Sequence, residues 1–435
     1  MSTLQGENLS FSQRLAQAFS ALGTAFLAQP QNVSLRQQVH SGALSAVAYY
    51  TQLRHLAYRV LFLLVAEARG VLPAPGAARG ARQRYQRSYA LGRAPHLPAQ
   101  RGGQSRYQRL LTLLGWLGGN AGGAEAAVPC LGIFLHPAPT LAALLDCTLP
   151  EAPLSDFVEA LQATLLQHPL LPERFGDFDG DVVDSLHLAA QQWQPVFDSK
   201  ALSWQLLPTP GATMPTAATQ SVAPELVARL LDSALEPVVR EALLQPTPAA
   251  ALLALTICDP ACGTGTMLRA AARRLAAHLL RTRGGTLRQA LYDVIEHCLY
   301  GVDSDPASVE RCRLSLALEM LAPGITCTSL EQHICWGDSL AGVTPALLAQ
   351  GLPEQAFRTV ADDSPRLALA LRKRHQQERQ GQMVFTFPAP ATPKTARRRR
   401  GRQPRANSST LPKAALVPGS PAHATLLAHA WCATF

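Results

Sequence analysis

The residues with the clearest chemical potential lie in one short stretch that runs from Asp259 to Thr266 and reads D-P-A-C-G-T-G-T. Asp259 and Pro260 end a short apolar run, because proline fixes φ and cannot continue a central strand. Gly263 and Gly265 then allow a tight turn and a close approach of a ligand to the backbone. A carboxylate directly before such a turn would repel phosphate. It would suit a cationic ligand, such as the amino-acid end of S-adenosylmethionine.

The elements around this turn are those of a cofactor site. The glycine spacing does not fit the dinucleotide fingerprint, and no lysine follows as in a P-loop. A strand, a glycine turn and a helix N-terminus still meet where open α/β folds bind nucleotide-like cofactors. The alternative is a glycine turn that only reverses the chain. The apolar pattern predicts strand residues Leu253, Leu255 and Ile257, and helix residues Met267, Leu268, Ala271, Ala272, Leu275 and Leu279.

Two further predicted strands end in acidic residues. Residues 299–302 form a strand pattern that delivers Asp303, and residues 333–336 form one that delivers Gly337 and Asp338. A carboxylate after the second strand suits the two ribose hydroxyls of an adenosine. Each aspartate alone could be a cap or a turn residue. Three of them at successive strand ends favour a cofactor site.

Three helices are predicted to link these strands. The first runs from about Thr266 into the 280s, where two glycines break it, and the second spans about residues 287–297. The third begins at Asp305 and Pro306, since aspartate caps a helix and proline suits its first turn. Its predicted sheet-facing residues are Val309, Cys312, Leu316 and Met320.

Three motifs in order carry a family resemblance. Asp259 to Gly265 resembles the D-P-A-C-G-[ST]-G motif of N6-adenine DNA methyltransferases. Tyr300 to Asp303 (Y-G-V-D) and Gly337 to Gly342 (G-D-S-L-A-G) resemble the two motifs that follow it in the large, restriction-linked, type IIG-like group. The segment 58–70 resembles an R-L-L-F-L-L-Y-A-E-x-R-G segment of the helical region before their catalytic domain.

The resemblance implies an α/β fold with a partial Rossmann-like domain that binds S-adenosylmethionine, preceded by a mainly helical region. It also implies that Asp338 contacts the adenine amino group of the cofactor. The expected cofactor-binding residues are Asp259, Pro260, Ala261, Cys262, Gly263, Gly265, Asp303 and Asp338.

The chain departs from the family pattern in three places. Val222-Ala223-Pro224 stands where the family has a tyrosine-threonine-proline motif, and residues 184–188 (D-S-L-H-L) stand where it has L-G-x-x-Y-E. The family motif [DNS]-P-P-[YFW], which grips the flipped adenine, should follow Asp338, and this sequence contains no Pro-Pro dipeptide. We therefore expect the N-terminal part of a larger enzyme, inactive alone, with the C-terminal part as a partner.

Composition favours a nucleic-acid partner. The 435 residues carry a net charge of +9, and 47% of them are hydrophobic. The nine cysteines show no zinc-ligand spacing, and Cys258 and Cys262 are expected to be small, buried packing residues. We identify no signal peptide and no apolar run long enough for a membrane span, so a cytoplasmic protein is expected.

Two arginine-rich stretches are candidates for DNA contact. No acidic residue lies between Gly70 and Ala124, where arginines alternate with Tyr85, Tyr89 and Tyr107, which could stack on bases. A solvated loop is an equal alternative for this stretch, and a solvating tail is the alternative for the second one. The candidate residues are Arg79, Arg82, Arg84, Arg87, Arg397, Arg398, Arg399 and Arg400.

The predicted organisation has four parts. Residues 1–205 form a mainly helical region with a basic loop at 73–124, and residues 206–220 are a linker. Residues 221–345 form the incomplete cofactor domain. Residues 346–435 contain a polar helix and a low-complexity basic tail.

Two smaller features are interpreted as having no function. Glu67 is interpreted as a charge on an exposed helix face, and the aspartates at 177, 179, 181 and 184 as a solvated acidic loop.

Three functional hypotheses follow from these patterns. The first is the cofactor-binding part of an adenine-specific DNA methyltransferase. The second is a non-catalytic nucleic-acid-binding or interaction protein. The third is a methyltransferase that acts on a protein or a small molecule. The residue sequence of the Asp259 motif and the helical N-terminal region argue against it.

Overall fold

The computed structural model describes residues 10–92, 105–138, 140–198, 203–209, 222–340, 357, 359 and 364–379. The chain forms two compact units, Met1–Gly337 and Asp338–Phe435. The larger unit is mainly helical and contains a parallel sheet of three strands and an antiparallel pair. The predicted mixed α/β class is thus confirmed in its coarse form.

The first unit is built around one long helix. Five helices open the chain: α1 (Phe11–Ala28), α2 (Val33–His40), α3 (Ala46–Ala68), α4 (Arg79–Ser88) and α5 (Arg106–Leu117). α3 is buried on all sides between Leu53 and Ala66, apart from Arg54, as expected for a helix at the centre of a core. Ser10 and Ser105 begin α1 and α5 with capping boxes.

The next elements close this helical part. α6 (Glu151–Leu166) packs on α1, and α7 (Asp181–Gln191) leads into the antiparallel strands β1 (Trp193–Asp198) and β2 (Ser203–Pro208). Trp204 of β2 is buried against Tyr49 and Tyr50 of α3. Its carbonyl accepts a hydrogen bond from Thr24 of α1. The hairpin is therefore part of the core.

The parallel sheet is formed later in the chain. α8 (Pro224–Leu230), a π-helical turn, α9 (Glu236–Leu243) and α10 (Pro248–Leu253) precede β3 (Ile257–Asp259). α11 (Thr266–Arg283) and α12 (Leu287–Cys298) then lead to β4 (Leu299–Asp303). α13 (Pro306–Met320) and α14 (Leu330–His333) lead to β5 (Ile334–Trp336). The strand order is β3-β4-β5, so the three carboxyl ends lie at the same edge.

The predicted helices of this region are confirmed. α11 ends at Arg283, where Gly284 takes a φ of +74° that glycine favours. Asp305 caps α13 by accepting the N–H groups of Ala307 and Ser308. The sheet-facing residues predicted for α13 are buried, namely Val309, Cys312, Leu316 and Met320.

Three predicted boundaries are wrong. The strand before the turn starts only at Ile257, because Leu253 ends helix α10. The basic stretch 73–124 is not a loop, since it contains α4 and α5. The predicted linker 206–220 begins inside β2, which extends to Pro208, and residues 210–221 lie outside the described residues.

The second unit is described mainly through one helix. α15 (Pro365–Arg379) agrees with the polar helix predicted for this part of the chain. The basic tail, including Arg397 to Arg400, lies outside the described residues. Among the helices of the described part, none is long and apolar enough to cross a membrane.

Candidate functional site

The glycine turn lies at the carboxyl end of β3. Asp259 accepts the N–H of Ala261 at 3.0 Å, which forms a local turn directly after the strand. The N–H of Gly265 donates to the carbonyl of Cys262 at 2.7 Å and closes the turn before α11. Pro260 and Ala261 are exposed on it. The predicted strand, turn and helix start are therefore present in this order.

Glycine is required at the two positions for different reasons. Gly265 has a φ of +89°, and a Cβ added there would lie 2.9 Å from the Cys312 sulfur. Gly263 has a φ of +53°, and a Cβ there would meet no atom within 4 Å. Gly265 thus serves the close packing of α13 on the turn, whereas Gly263 faces open space.

Asp303 joins the second strand end to this turn. Its Oδ2 accepts the N–H of Gly263 at 2.8 Å, and its Oδ1 accepts the N–H of Asp305 at 2.8 Å. Its carbonyl accepts the N–H of Gly337 at 3.0 Å. Each carboxylate oxygen has a second lone pair, so Asp303 can still accept a bond from a ligand hydroxyl.

The two cysteines of the motif have different surroundings. Cys262 is buried and contacts Cys312, and this contact, together with burial, raises the pKa of the Cys312 thiol. Cys258 is exposed on the face of β3 that α11 does not cover. The prediction of a buried packing residue is therefore correct for Cys262 and wrong for Cys258.

Asp338 begins the second unit. Its Oδ1 accepts the N–H of Leu340 at 2.9 Å within that unit. The structure therefore brings together Asp259, Gly263, Gly265 and Asp303 of the predicted cofactor residues. The assignment of Asp338 to the same ligand stays a prediction.

A cavity of about 440 Å³ lies beside the turn. This volume falls within the range usual for small-molecule sites. One wall is the glycine turn and the start of α11, and the opposite wall is α7. The residues that line it are Asp184, His187, Leu188, Gln191, Val222, Asp259, Ala261, Cys262, Gly263, Thr264, Thr266, Met267, Ser308 and Arg311.

Arg269 ties α7 to the turn. Its side chain is only 2% exposed, and it donates to Asp181 at 2.9 Å and to Asp184 at 2.5 Å. Its second terminal nitrogen donates to the Thr264 carbonyl at 3.1 Å. Thr266 also donates to Asp184, at 3.2 Å. The interpretation as a solvated acidic loop is therefore wrong for Asp181 and Asp184.

Arg273, one turn further along α11, extends this network. It bonds to Asp179 at 2.8 Å and to Glu319 of α13 at 2.6 Å. Burial and the neighbouring carboxylates of Asp181 and Glu319 raise the pKa of Asp179. Burial alone would raise the pKa of Asp181 too, but Arg269 and Arg273 hold it below its ordinary value.

The network was missed because its charges are far apart in sequence. A signal was present in α11 itself, where Arg269 and Arg273 are spaced i, i+4 beside the apolar residues of the buried face. Two arginines in that position require carboxylate partners from another element. The aspartates in the first turn of α7 and just before it are such partners.

Helix α4 presents the predicted arginines to solvent. Ala81 and Tyr85 are buried on one face, and Arg79, Arg82, Arg84 and Arg87 are all exposed around the rest of the helix. Arg84 lies 3.9 Å from Glu125, and both side chains are largely exposed. The arginines thus form a basic surface on α4, although Arg106 and Arg109 of α5 bind Ser155 and Glu151 instead.

The interleaved tyrosines do not belong to that surface. Tyr85 and Tyr107 are buried in the core, and Tyr89 packs half-buried against Trp116. Their predicted role as stacking platforms for bases is therefore wrong. The alternation of arginine and tyrosine is the pattern of an amphipathic helix.

Glu67 anchors the basic helix. It accepts the Tyr85 hydroxyl at 2.7 Å and the N–H groups of Leu91 and Gly92, both at 2.8 Å. Burial raises its pKa, although these three bonds favour the ionised form. Its interpretation as a charge on an exposed helix face is wrong, because the carboxylate binds the last turn of α4 and the two residues Leu91 and Gly92 beyond it.

Within the described ranges, no group of three or more His, Cys, Asp or Glu side chains could hold a metal ion. Comparison with protein-family models, with curated proteins and with solved structures finds no match for this chain. The functional argument therefore rests on the sequence motifs and on the geometry of the site.

Proposed function

We propose that this chain binds S-adenosylmethionine and forms the donor-binding part of an N6-adenine-specific DNA methyltransferase. The observation that carries the proposal is the open space at Gly263, bordered by Asp303 and the start of α11. A cofactor that approaches the backbone this closely needs a glycine there. The residues present thus fit the cofactor that the motifs imply.

The arrangement of the strands supports a Rossmann-like interpretation. β3, β4 and β5 are parallel and adjacent in sequence order, as in one half of a doubly wound sheet. In such folds the ligand lies outside the carboxyl ends of the strands. The turn after β3 and Asp303 at the end of β4 both lie at that edge.

Each residue then has a defined role. Asp303 accepts ribose hydroxyls with the lone pairs that Gly263 and Asp305 leave free, and Gly263 lets the cofactor pass along the backbone. The bound cofactor supplies the methyl group, and the chain holds it so that an amine can approach in line. The role of Asp338 at the cofactor adenine rests on the resemblance and stays a prediction.

The sheet supports the proposal of a partner that completes the enzyme. Parallel sheets are normally covered on both faces. Here Cys258 and Cys335 are exposed on the second face, and Trp336 is 65% exposed at the end of β5. We propose that the C-terminal part of the same enzyme covers this face and supplies the groups that grip the target adenine.

DNA is the proposed acceptor because the basic surface on α4 suits phosphate. Exposed arginines offer forked donors to phosphate oxygens without reading the sequence. A cytoplasmic location accompanies this proposal and stays a prediction.

The experiment is a calorimetric titration of the purified chain with S-adenosylhomocysteine, the demethylated product. The control carries Gly263→Asp and Gly265→Asp, which fill the turn with carboxylates. We expect binding by the wild type and none by the control. No heat with the wild type at millimolar ligand would overturn the proposal.

A second assay follows transfer of a labelled methyl group from the cofactor to unmethylated DNA. We expect no transfer by the chain alone, because the groups that hold the flipped adenine are absent from its sequence. Transfer should appear when the C-terminal part is added. Transfer by the chain alone would reveal an acceptor site within it.

A non-catalytic nucleic-acid-binding protein is the second candidate. It is favoured by Val222-Ala223-Pro224, which has neither the aromatic ring nor the hydroxyl of the family's tyrosine-threonine-proline motif at the cavity. DNA binding that persists in a chain unable to bind any adenosine ligand would favour this candidate over the first.

A further inference from the structure

A second cavity, of about 470 Å³, lies between the end of α3 and helix α4. This volume falls within the range usual for small-molecule sites. Its walls are mainly apolar and include Leu64, Leu72, Pro73 and the ring of Phe175. Among the described residues that line it, Glu67 is the only one with a charged side chain. A single carboxylate in apolar surroundings favours a ligand that offers a hydrogen-bond donor.

The carboxylate of Glu67 retains one acceptor for such a ligand. Its Oε1 accepts the Tyr85 hydroxyl and the N–H of Leu91, and these two bonds occupy both lone pairs of that oxygen. Its Oε2 accepts the N–H of Gly92, which leaves one lone pair on this oxygen among the described residues. All three donors are uncharged. The carboxylate can therefore accept one more N–H group.

Oε2 is open to an incoming ligand on one side. Glu67 is partly exposed, whereas α3 is buried from His55 to Ala66. Gly92 is exposed, and a Cβ added there would lie 3.1 Å from Oε2 of Glu67. Any side chain at position 92 would thus cover the oxygen that glycine leaves uncovered.

The charges around the cavity restrict the ligand further. Arg82, Arg84 and Arg87 of α4 are exposed, and Gln86, which lines the cavity, stands one helical turn after Arg82 on the same side of α4. This basic surface repels a small cationic amine and attracts phosphate. The ligand that suits both features is anionic overall and carries an uncharged amine. A nucleotide has both, in its phosphate and in the exocyclic amine of its base.

We propose that this cavity binds an unpaired, amine-bearing base of a nucleic-acid strand whose phosphates lie on the arginines of α4. The proposal rests on the proposed contact between α4 and DNA and adds a base-binding site to it. The exocyclic amine donates to Oε2 of Glu67, as the amine of cytosine does to carboxylates in protein–DNA contacts. Phe175 and the apolar walls pack against the ring. The competing occupant is ordered water, which has no preference for a base.

Two single strands of equal length, one of deoxycytidine and one of deoxyuridine, give the first test. They carry the same phosphates, and the bases differ in an amine that uracil replaces with a carbonyl. Contacts with phosphate alone would bind both strands equally. We expect the full chain to bind the deoxycytidine strand about tenfold more tightly, measured by fluorescence anisotropy. Equal affinities would overturn the inference and indicate water in the cavity.

Glu67→Gln gives the second test. Its amide presents N–H donors where Oε2 stood, so the roughly tenfold preference for deoxycytidine should disappear. Glu125→Gln is the matched control, because it removes the same charge 3.9 Å from Arg84 at a position that does not line the cavity. It should keep the preference, even if both strands bind somewhat more tightly.

Gly92→Ala tests the same acceptor without a change of charge. The φ of Gly92 lies outside the left-handed region, so alanine fits the backbone. The new methyl group stands 3.1 Å from Oε2 and should remove the preference by covering it. A preference that persists in both Glu67→Gln and Gly92→Ala would show that the base is bound elsewhere and would overturn the inference.

The outcomes separate the inference from the proposed DNA contact. If the wild type binds both strands with equal affinity, the contact of α4 with DNA stands and the base site fails. If the wild type binds neither strand, both fail. If Glu67→Gln does not fold, the wild type and Gly92→Ala still decide.

Discussion

The carboxylate of Asp303 accepts the N–H of Gly263 at 2.8 Å and so joins the ends of two adjacent parallel strands. Its other oxygen accepts the N–H of Asp305. The acidic residue at the second strand end therefore holds the glycine turn of the first in its conformation. A ligand that bound Asp303 would meet a turn that is already formed.

Replacing Asp303 with asparagine tests this relationship. The amide has only one acceptor oxygen, so one of the two backbone N–H groups loses its partner, and ligand hydroxyls lose a charged acceptor. We expect the binding free energy of S-adenosylhomocysteine to weaken by about 1.5–3 kcal/mol. Calorimetry measures this, with Asp156→Asn on the exposed face of α6 as the control. An unchanged affinity would show that Asp303 serves the fold alone.

The two glycines of the turn should separate binding from stability. Gly263→Ala places a methyl group in open space at a φ of +53°, at a folding cost of about 1–2 kcal/mol. It should nevertheless abolish measurable ligand binding, because the methyl group enters the cavity. Gly265→Ala pushes its Cβ against the Cys312 sulfur and should lower the free energy of unfolding further, by about 1–3 kcal/mol for backbone strain plus the clash.

Urea denaturation and calorimetry on both variants decide this prediction. Gly265→Ala should be the less stable of the two proteins. Gly263→Ala should lose ligand binding although its loss of stability is smaller. If both variants lost binding and stability in the same proportion, the turn would have a structural role only.

The elements around the site were predictable where local rules dominate. α11, α12 and α13 have apolar periodicity together with glycine or aspartate-proline boundaries, and these signals agree with their final packing. Strand β3 was predicted too long, because Leu253 and Leu255 alternate with small residues in a way that a helix end also allows. A short apolar run does not distinguish a buried strand from the end of a helix.

The ion-pair network could not be predicted from local patterns. Arg269 and Asp184 lie 85 positions apart, and only the packing of α7 on α11 brings them together.

Helix α4 was missed for another reason. Its arginines dominate the composition, although arginine and glutamine are good helix formers and Ala81 and Tyr85 are spaced i, i+4 on its buried face.

Removing the Glu67 carboxylate should loosen α4. Glu67→Ala leaves the Tyr85 hydroxyl and two backbone N–H groups without their acceptor, and we expect a loss of about 1–3 kcal/mol in unfolding free energy. Tyr85→Phe removes one of these bonds. The double variant should be about 0.5–3 kcal/mol less destabilised than the sum of the single variants. Additive effects in urea denaturation would contradict the coupling of the two side chains.

The exposed arginines of α4 should give DNA binding that weakens steeply with salt. Arg82→Ser combined with Arg87→Ser removes two charges from this surface, and the salt slope of binding should fall by about 0.9 for each lost phosphate contact. Arg229→Ser with Arg240→Ser removes the same charge from exposed positions on α8 and α9. Fluorescence anisotropy at several salt concentrations should show the smaller slope only for the first pair. Equal slopes would mean that net charge alone attracts DNA.

His187 should make the fold sensitive to acid. Burial, together with Arg311 and Arg54, lowers its pKa to about 3, whereas an unfolded histidine titrates near 6.5. The unfolded chain therefore binds the proton first, and the stability that neutral His187 provides is present above about pH 6.5 and is lost as the pH falls towards 3. The loss should reach at most about 1.4 kcal/mol per pH unit in that window.

Urea denaturation at pH 7 and pH 5 measures this loss of stability. His187→Gln should flatten this dependence by about one proton, whereas His40→Gln at an exposed position should leave it unchanged. The same slope in both variants would show that other groups cause the acid sensitivity.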